Sequence, residues 1–159
     1  MTTDSPTDAA SLAWMARRGV APQWRAFLRA LVETLDTNLA PESRDSLLRA
    51  VGARLAGTAP LPPCDSLEDL SAAMNRALLG WDWGHVAVTA DGAASALYLT
   101  HRCAPAVGCE GDAEGAWIGA VLEGLFTAWI AGQPGADSSL PARVTAAAAG
   151  RIELRYGRG

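Results

Sequence analysis

One segment constrains this chain more than any other. From Gly115 to Ala131 the sequence reads GAWIGAVLEGLFTAWIA, and Glu123 is its only charged residue. At helical spacing, Trp117, Ile118, Val121, Leu122, Leu125, Phe126, Trp129 and Ile130 fill two adjacent stripes. A helix apolar over that much of its girth is buried on more than one side. Gly119, Ala120 and Gly124 are small enough to let another backbone come close. The run falls short of 18 uninterrupted apolar residues, so it reads as a core helix and not a membrane span. Gln133-Pro134-Gly135 ends it.

The elements around this helix follow from periodicity. Residues 1–8 are polar and read as a frayed tail, and Ala9 to Arg18 suits a short helix closed by Gly19. Pro22 opens a second helix, whose apolar stripe is Trp24, Phe27, Leu28, Leu31, Leu35 and Leu39. Pro41 opens a third, with Leu47, Leu48, Val51 and Leu55 as its expected buried face and Gly57 as its stop. Three prolines at 60, 62 and 63 make an extended connector. Asp65 and Glu68 resemble an acidic capping box for a fourth helix with Leu67, Leu70, Met74 and Leu78 inward and Gly80 at its end.

Beyond Gly80 the period changes from 3.6 to 2. Val86 and Val88 alternate with polar or small residues, Asp91-Gly92 predicts a tight hairpin turn, and Leu97 and Leu99 share one face of the return strand. A second pair follows the long helix, from Ala142 to Ala149 and from Arg151 to Tyr156. There Ile152, Leu154 and Tyr156 alternate with Arg151, Glu153 and Arg155, the pattern of a half-buried strand. The expected fold class is α+β: N-terminal helices, a β-hairpin, a long buried helix and a C-terminal β-hairpin forming an antiparallel sheet.

Composition narrows the function. Charged residues make up 19% of the 159-residue chain, below the roughly 25% usual for soluble domains, which leaves surface for partners. All 13 basic residues are Arg, scattered along the chain, and the net charge is −4. Nucleic acid is therefore not an expected partner, because phosphate binding needs a concentrated positive face. Cys64, Cys103 and Cys109 form no disulfide framework and suit a reducing compartment. The first residues have neither the basic nor the apolar region of a signal peptide. A cytoplasmic location is the expectation, with a periplasmic one as the alternative.

Catalytic signatures are missing. The chain has two histidines, His85 and His101, both on expected strands. It contains no G-x-S-x-G, H-E-x-x-H or dinucleotide fingerprint, and a P-loop is excluded because there is no Lys. His101, Cys103 and Cys109 lack the close spacing and the fourth ligand of a zinc site. Glu110, Asp112 and Glu114 alternate in a loop but lack the EF-hand pattern, and acidic residues just before a helix already suit its macrodipole. Neither a metal, a cofactor nor a catalytic residue is expected. Six tryptophans serve as core or interface anchors or as stacking platforms for sugar rings. Trp14, near the chain end, is the best candidate for an exposed one.

Four blocks then carry a resemblance: RDSLLRAVGARLAG at 44–57, LPPCDSLEDL at 61–70, GWDWGHV at 80–86 and GAWIGAVLEGLFTAWIAGQPGA at 115–136. In order and spacing they resemble the cellulose synthase D-subunit family of cellulose-secreting bacteria. The last block is the most specific, with W-x3-VLEGL-x3-W followed by a Q-P-G-A break. The likeness spans most of residues 22–136.

It implies a non-enzymatic subunit that assembles as a ring-like homo-octamer, a tetramer of dimers. N-terminal segments line inner passages that guide nascent β-1,4-glucan. It also implies partnership with other cellulose synthase subunits and with a proline-rich companion protein. On this reading residues 1–21 are a variable, passage-lining segment and residues 22–159 a single domain. Trp14, Arg17, Arg18 and Gln23 become the expected glucan contacts. Trp117, Leu122, Phe126 and Trp129 become the expected oligomer interface, since a neighbouring subunit would supply the long helix with its second side. The order of elements also resembles the vinyl-reductase-type small-molecule-binding domains. The alternative is accordingly a sensor with an apolar pocket between the long helix and the sheet.

Overall fold

The structure, a computed structural model, describes residues 6–158. Four helices come first: α1 (Pro6–Arg18), α2 (Pro22–Asn38), α3 (Pro41–Thr58) and α4 (Leu67–Gly80). Strands β1 (His85–Asp91) and β2 (Ala96–Arg102) precede α5 (Ile118–Ala131), and β3 (Ala142–Ala148) and β4 (Arg151–Gly157) close the chain. The four strands form one antiparallel sheet in the order β1-β2-β4-β3. The fold is the expected α+β arrangement. Of the expected polar tail, residues 1–5 lie outside the described residues, and residues 6–8 already belong to α1.

The molecule is built in layers around α5. Its one side packs on the sheet, where Leu99 and His101 of β2 and Ile152, Leu154 and Tyr156 of β4 point inward. Its other side is crossed by α3 of the same chain. That crossing depends on two glycines. A Cβ on Gly124 would overlap the carbonyl oxygen of Arg49, and one on Gly52 would overlap the carbonyl oxygen of Val121. The backbones therefore approach more closely than side chains permit. Glu123, the lone charge of α5, is buried at the edge of this contact and is neutralised by Arg49 Nε at 2.5 Å. Its Oε1 accepts from the Val144 amide at 2.8 Å, so one carboxylate joins α3, α5 and β3.

Several boundaries differ from expectation for local reasons. In α3 the buried residues are Leu48, Gly52 and Ala56, while Leu47 and Val51 are half exposed. The close approach to α5 turns the small-residue face inward. The cap of α4 is Ser66, whose Oγ accepts from the Asp69 amide at 3.0 Å, one residue later than the Asp65–Glu68 pairing. The β1–β2 turn is a four-residue loop over 92–95 and not a two-residue one, because Asp91 Oδ1 accepts from the amides of both Ala93 and Ala94.

Side chains protect both edges of the sheet. On β1, Asn75 of α4 donates to the Val86 carbonyl and accepts from its amide, both at 2.8 Å. On the β3 side, the amides of Ala142, Val144 and Ala149 are taken by Thr127, Glu123 and Glu114, which blunts strand addition there. The proline connector is held by the end of α5. Trp129 Nε1 donates to the Ala59 carbonyl at 2.9 Å, and Gln133 Oε1 accepts from the Cys64 amide at 2.9 Å. The Q-P-G-A break thus positions a clamp as well as ending a helix.

His101 is fully buried, with Nε2 2.6 Å from the Trp83 carbonyl. A carbonyl only accepts, so Nε2 carries the proton, and Nδ1 has no partner among the described residues. Burial, reinforced by His85 and opposed by the Trp83 bond, pushes the pKa from 6.5 down to about 4. A depressed histidine contributes stability that is complete above its unfolded value and is lost as pH falls. We expect about 3 kcal/mol to disappear between pH 6.5 and 4. Urea midpoints across that window check this. His101→Phe should be less stable at neutral pH yet flatter between pH 6.5 and 5, and an equally steep slope in that variant would rule His101 out as the cause.

Candidate functional site

An uncovered apolar face lies on the outer side of the helical layer. The apolar contacts of helix α2 with the core run through Leu28, Val32 and Leu35, of which only Val32 is fully buried. Rotated away from that contact, Trp24 (55% exposed), Phe27 and Leu31 face solvent, beside Leu47 and Val51 of α3. Trp24 and Phe27 meet edge to face at 5.7 Å. Between the two helices runs a groove of about 550 Å³, floored by Leu48, Trp117 and Val121. Five large apolar side chains in one patch mark it as a candidate interaction surface. The apolar stripe on α2 is wider than one buried face requires, and that excess width is the signal of a second contact.

Helix α1 presents the other candidate surface. It lies over the β3–β4 turn, where Gly150 at φ +80° lets its backbone approach: a Cβ there would overlap the Leu12 carbonyl oxygen. Ala16 is buried, and its carbonyl accepts from the Ala106 amide at 3.1 Å. On the opposite face Trp14 is 58% exposed, with the Arg18 guanidinium 4.8 Å from its ring centroid. At that distance the two side chains form a cation–π pair on the exposed face of the helix. Arg17 is exposed on the same helix, and Gln23 is exposed on α2. Of the four expected glucan contacts, the structure brings Trp14 and Arg18 into direct contact.

The four residues expected at an oligomer interface sit elsewhere. Leu122 and Phe126 are fully buried within a single chain, and Trp117 and Trp129 nearly so. The second side of α5 is supplied by α3 of the same chain, which leaves these four side chains little surface to offer another molecule. The apolar pocket expected between the long helix and the sheet is likewise filled, by Leu99, His101, Phe126 and Leu154.

The remaining chemistry-bearing groups have local duties. Asp112 accepts from the amides of Ala116 and Trp117 just ahead of α5, as the macrodipole reading expects. Cys109 is buried, and its thiol pKa is raised by burial. Among the described residues no group of His, Cys, Asp and Glu is placed to hold a metal ion, and no helix is long and apolar enough to cross a membrane.

Comparison with known proteins adds a relationship to this geometry. A family model for the D subunit of cellulose synthase matches residues 10–157. A cellulose synthase operon protein D of Komagataeibacter xylinus is 35% identical over 122 residues, 77% of this chain and 78% of that protein. Another from the same organism is 39% identical over 116 residues, 72% of this chain and 74% of its own length. The family match begins within α1, so Trp14, Arg17 and Arg18 fall inside it, beyond the 22–136 span of the sequence blocks.

Proposed function

The chain belongs to the cellulose synthase D-subunit family, and from that premise we propose that it is a non-catalytic, self-assembling scaffold of the bacterial cellulose synthase complex. The observation that carries the self-assembly is the apolar α2–α3 face, which a second copy would cover. Dimers made through it combine into a ring of eight. Such a ring organises synthase units and leads nascent glucan chains outward for export and crystallisation. Its partners are the other synthase subunits and the proline-rich companion protein.

The α1 ridge is the glucan-facing element of this scheme. Trp14 offers a flat apolar face, and Arg17, Arg18 and Gln23 offer donors to sugar hydroxyls. A non-catalytic role is supported by the fate of the two histidines: His101 is buried and committed to Trp83, while His85 stands on the outer face of the sheet. Three unpaired cysteines accord with the cytoplasmic side of the membrane.

Native mass by light scattering after size exclusion tests the assembly. Eight copies of the 16.5 kDa chain give about 132 kDa. A stable monomer would remove the ring and favour a small ligand in the α2–α3 groove. Deleting the gene from a cellulose-secreting host should lower the yield or crystallinity of its cellulose, and unchanged cellulose would overturn the role.

A further inference from the structure

We infer that the cleft between α3, α5 and β3 is a second saccharide site, separate from α1, which takes a short neutral oligosaccharide of the β-glucan class. The inference rests on the glucan-handling reading above and adds a place that neither the family pattern nor the exposed tryptophan pointed to. The cleft encloses about 430 Å³, within the range of about 300–1,000 Å³ common for small-molecule sites.

Its chemistry selects the ligand. Two guanidiniums, Arg44 and Arg49, face three carboxylates, Asp45, Asp112 and Glu123. The cations are already held by protein anions: Arg44 by Asp36 and Asp45 at 2.6 and 2.7 Å, Arg49 by Glu123 at 2.5 Å. An anionic ligand would meet a net negative wall, and a bare cation would meet two guanidiniums. A neutral polyol needs both donors and acceptors, and the cleft has both to spare. Arg49 spends only Nε on Glu123, and its two terminal nitrogens have no partner among the described residues. One helical turn earlier, Asp45 receives both Arg44 bonds on Oδ1, which leaves Oδ2 as an acceptor.

Geometry favours a sugar over a generic polyol. The polar groups are planar and pre-ordered by their ion pairs, so little freedom is lost when they bind hydroxyls. Glu123 is more than nine-tenths buried at the inner end of the cleft. Gly119 and Ala120 leave the floor free of bulk, and the nearly buried Trp117 supplies an apolar wall.

Titration of the full chain with cellotetraose, followed by calorimetry and by the indole N–H signal of Trp117, tests the site. Saturable binding with a shift at Trp117 is expected. Phenylalanine at the exposed rim positions, in Ala116→Phe combined with Ala147→Phe, should fill the cleft and weaken that binding at least ~10-fold while native mass stays the same. Trp14→Ala should leave the Trp117 shift in place. Unchanged affinity in the double variant, loss of all binding in Trp14→Ala alone, or tighter binding of a uronic acid oligomer would overturn the inference. Failure to bind cellotetraose would also overturn it, yet would leave the scaffold reading standing, since that is judged by native mass.

Discussion

Alanine at position 124 is expected to remove about 3–5 kcal/mol of stability, a large share of the roughly 5–15 kcal/mol that holds a domain of this size together. The added methyl would overlap the Arg49 carbonyl oxygen on α3. Neither partner has room to retreat. On the far side α5 is pressed against the sheet, where a Cβ on Gly119 would already lie 3.0 Å from Val144. The Arg49–Glu123 pair also ties the two helices at the same level. Parting the helices would therefore expose Leu122 and Leu125 and break a partly buried ion pair. Gly57, near the end of α3, has nothing within 4 Å of its would-be Cβ. Gly57→Ala should accordingly gain about 0.5–1 kcal/mol from helix propensity. Urea unfolding of both variants followed by circular dichroism decides the matter. If Gly124→Ala lies within about 1 kcal/mol of wild type, the close crossing is not what holds the core.

That crossing also shows which parts of the fold the sequence announces. The small residues of α5 signal a close backbone neighbour, and the all-round apolar pattern signals burial on two sides. What the pattern leaves open is the identity of the neighbour. A helix buried twice reads equally well as covered by its own chain or by another, and only the three-dimensional path of α3 chooses. The same ambiguity misplaces the buried face of α3. Periodicity favours the large Leu47 and Val51, whereas the tight crossing requires Gly52 and Ala56 to face inward. The strands are more legible because a period of two leaves one assignment: Ile152, Leu154 and Tyr156 all fall on the core face. Turn and cap details depend on single side chains, Asp91 and Ser66, that compete with equally plausible neighbours.

Of the candidate surfaces, the α1 ridge is half visible in the sequence. An aromatic followed four residues later by an arginine places Trp14 and Arg18 on one helical face. The polar cleft is hidden, because its parts come from α3, the 111–112 turn, α5 and β3, and no spacing along the chain relates Asp45 to Glu123. The α2–α3 face is hidden differently. Each of its residues stands out in the periodicity, yet periodicity alone assigns them all to the core.

Glutamate at both Leu31 and Leu47 is expected to dissociate the proposed assembly while leaving the fold in place. Each leucine is half exposed in the single chain, so a carboxylate at either position remains hydrated and costs the monomer about 0.5 kcal/mol or less. In the proposed assembly the same two positions would lie within the buried face. If two such faces meet about a two-fold axis, each substitution counts twice, and four carboxylates enter an apolar interface without partners. At about 1–3 kcal/mol for each unsatisfied group, association should weaken by ~1,000-fold or more. The native mass should then fall well below that of eight chains at micromolar protein, with an unchanged circular dichroism spectrum. Leu79 supplies the contrast: it is 76% exposed but lies on α4, away from the α2–α3 patch, so Leu79→Glu should leave the mass as it is. A doubly substituted protein that keeps the wild-type mass would mean that copies meet through some other surface, and Trp24, Phe27 and the groove beside them would then be a site for a different partner.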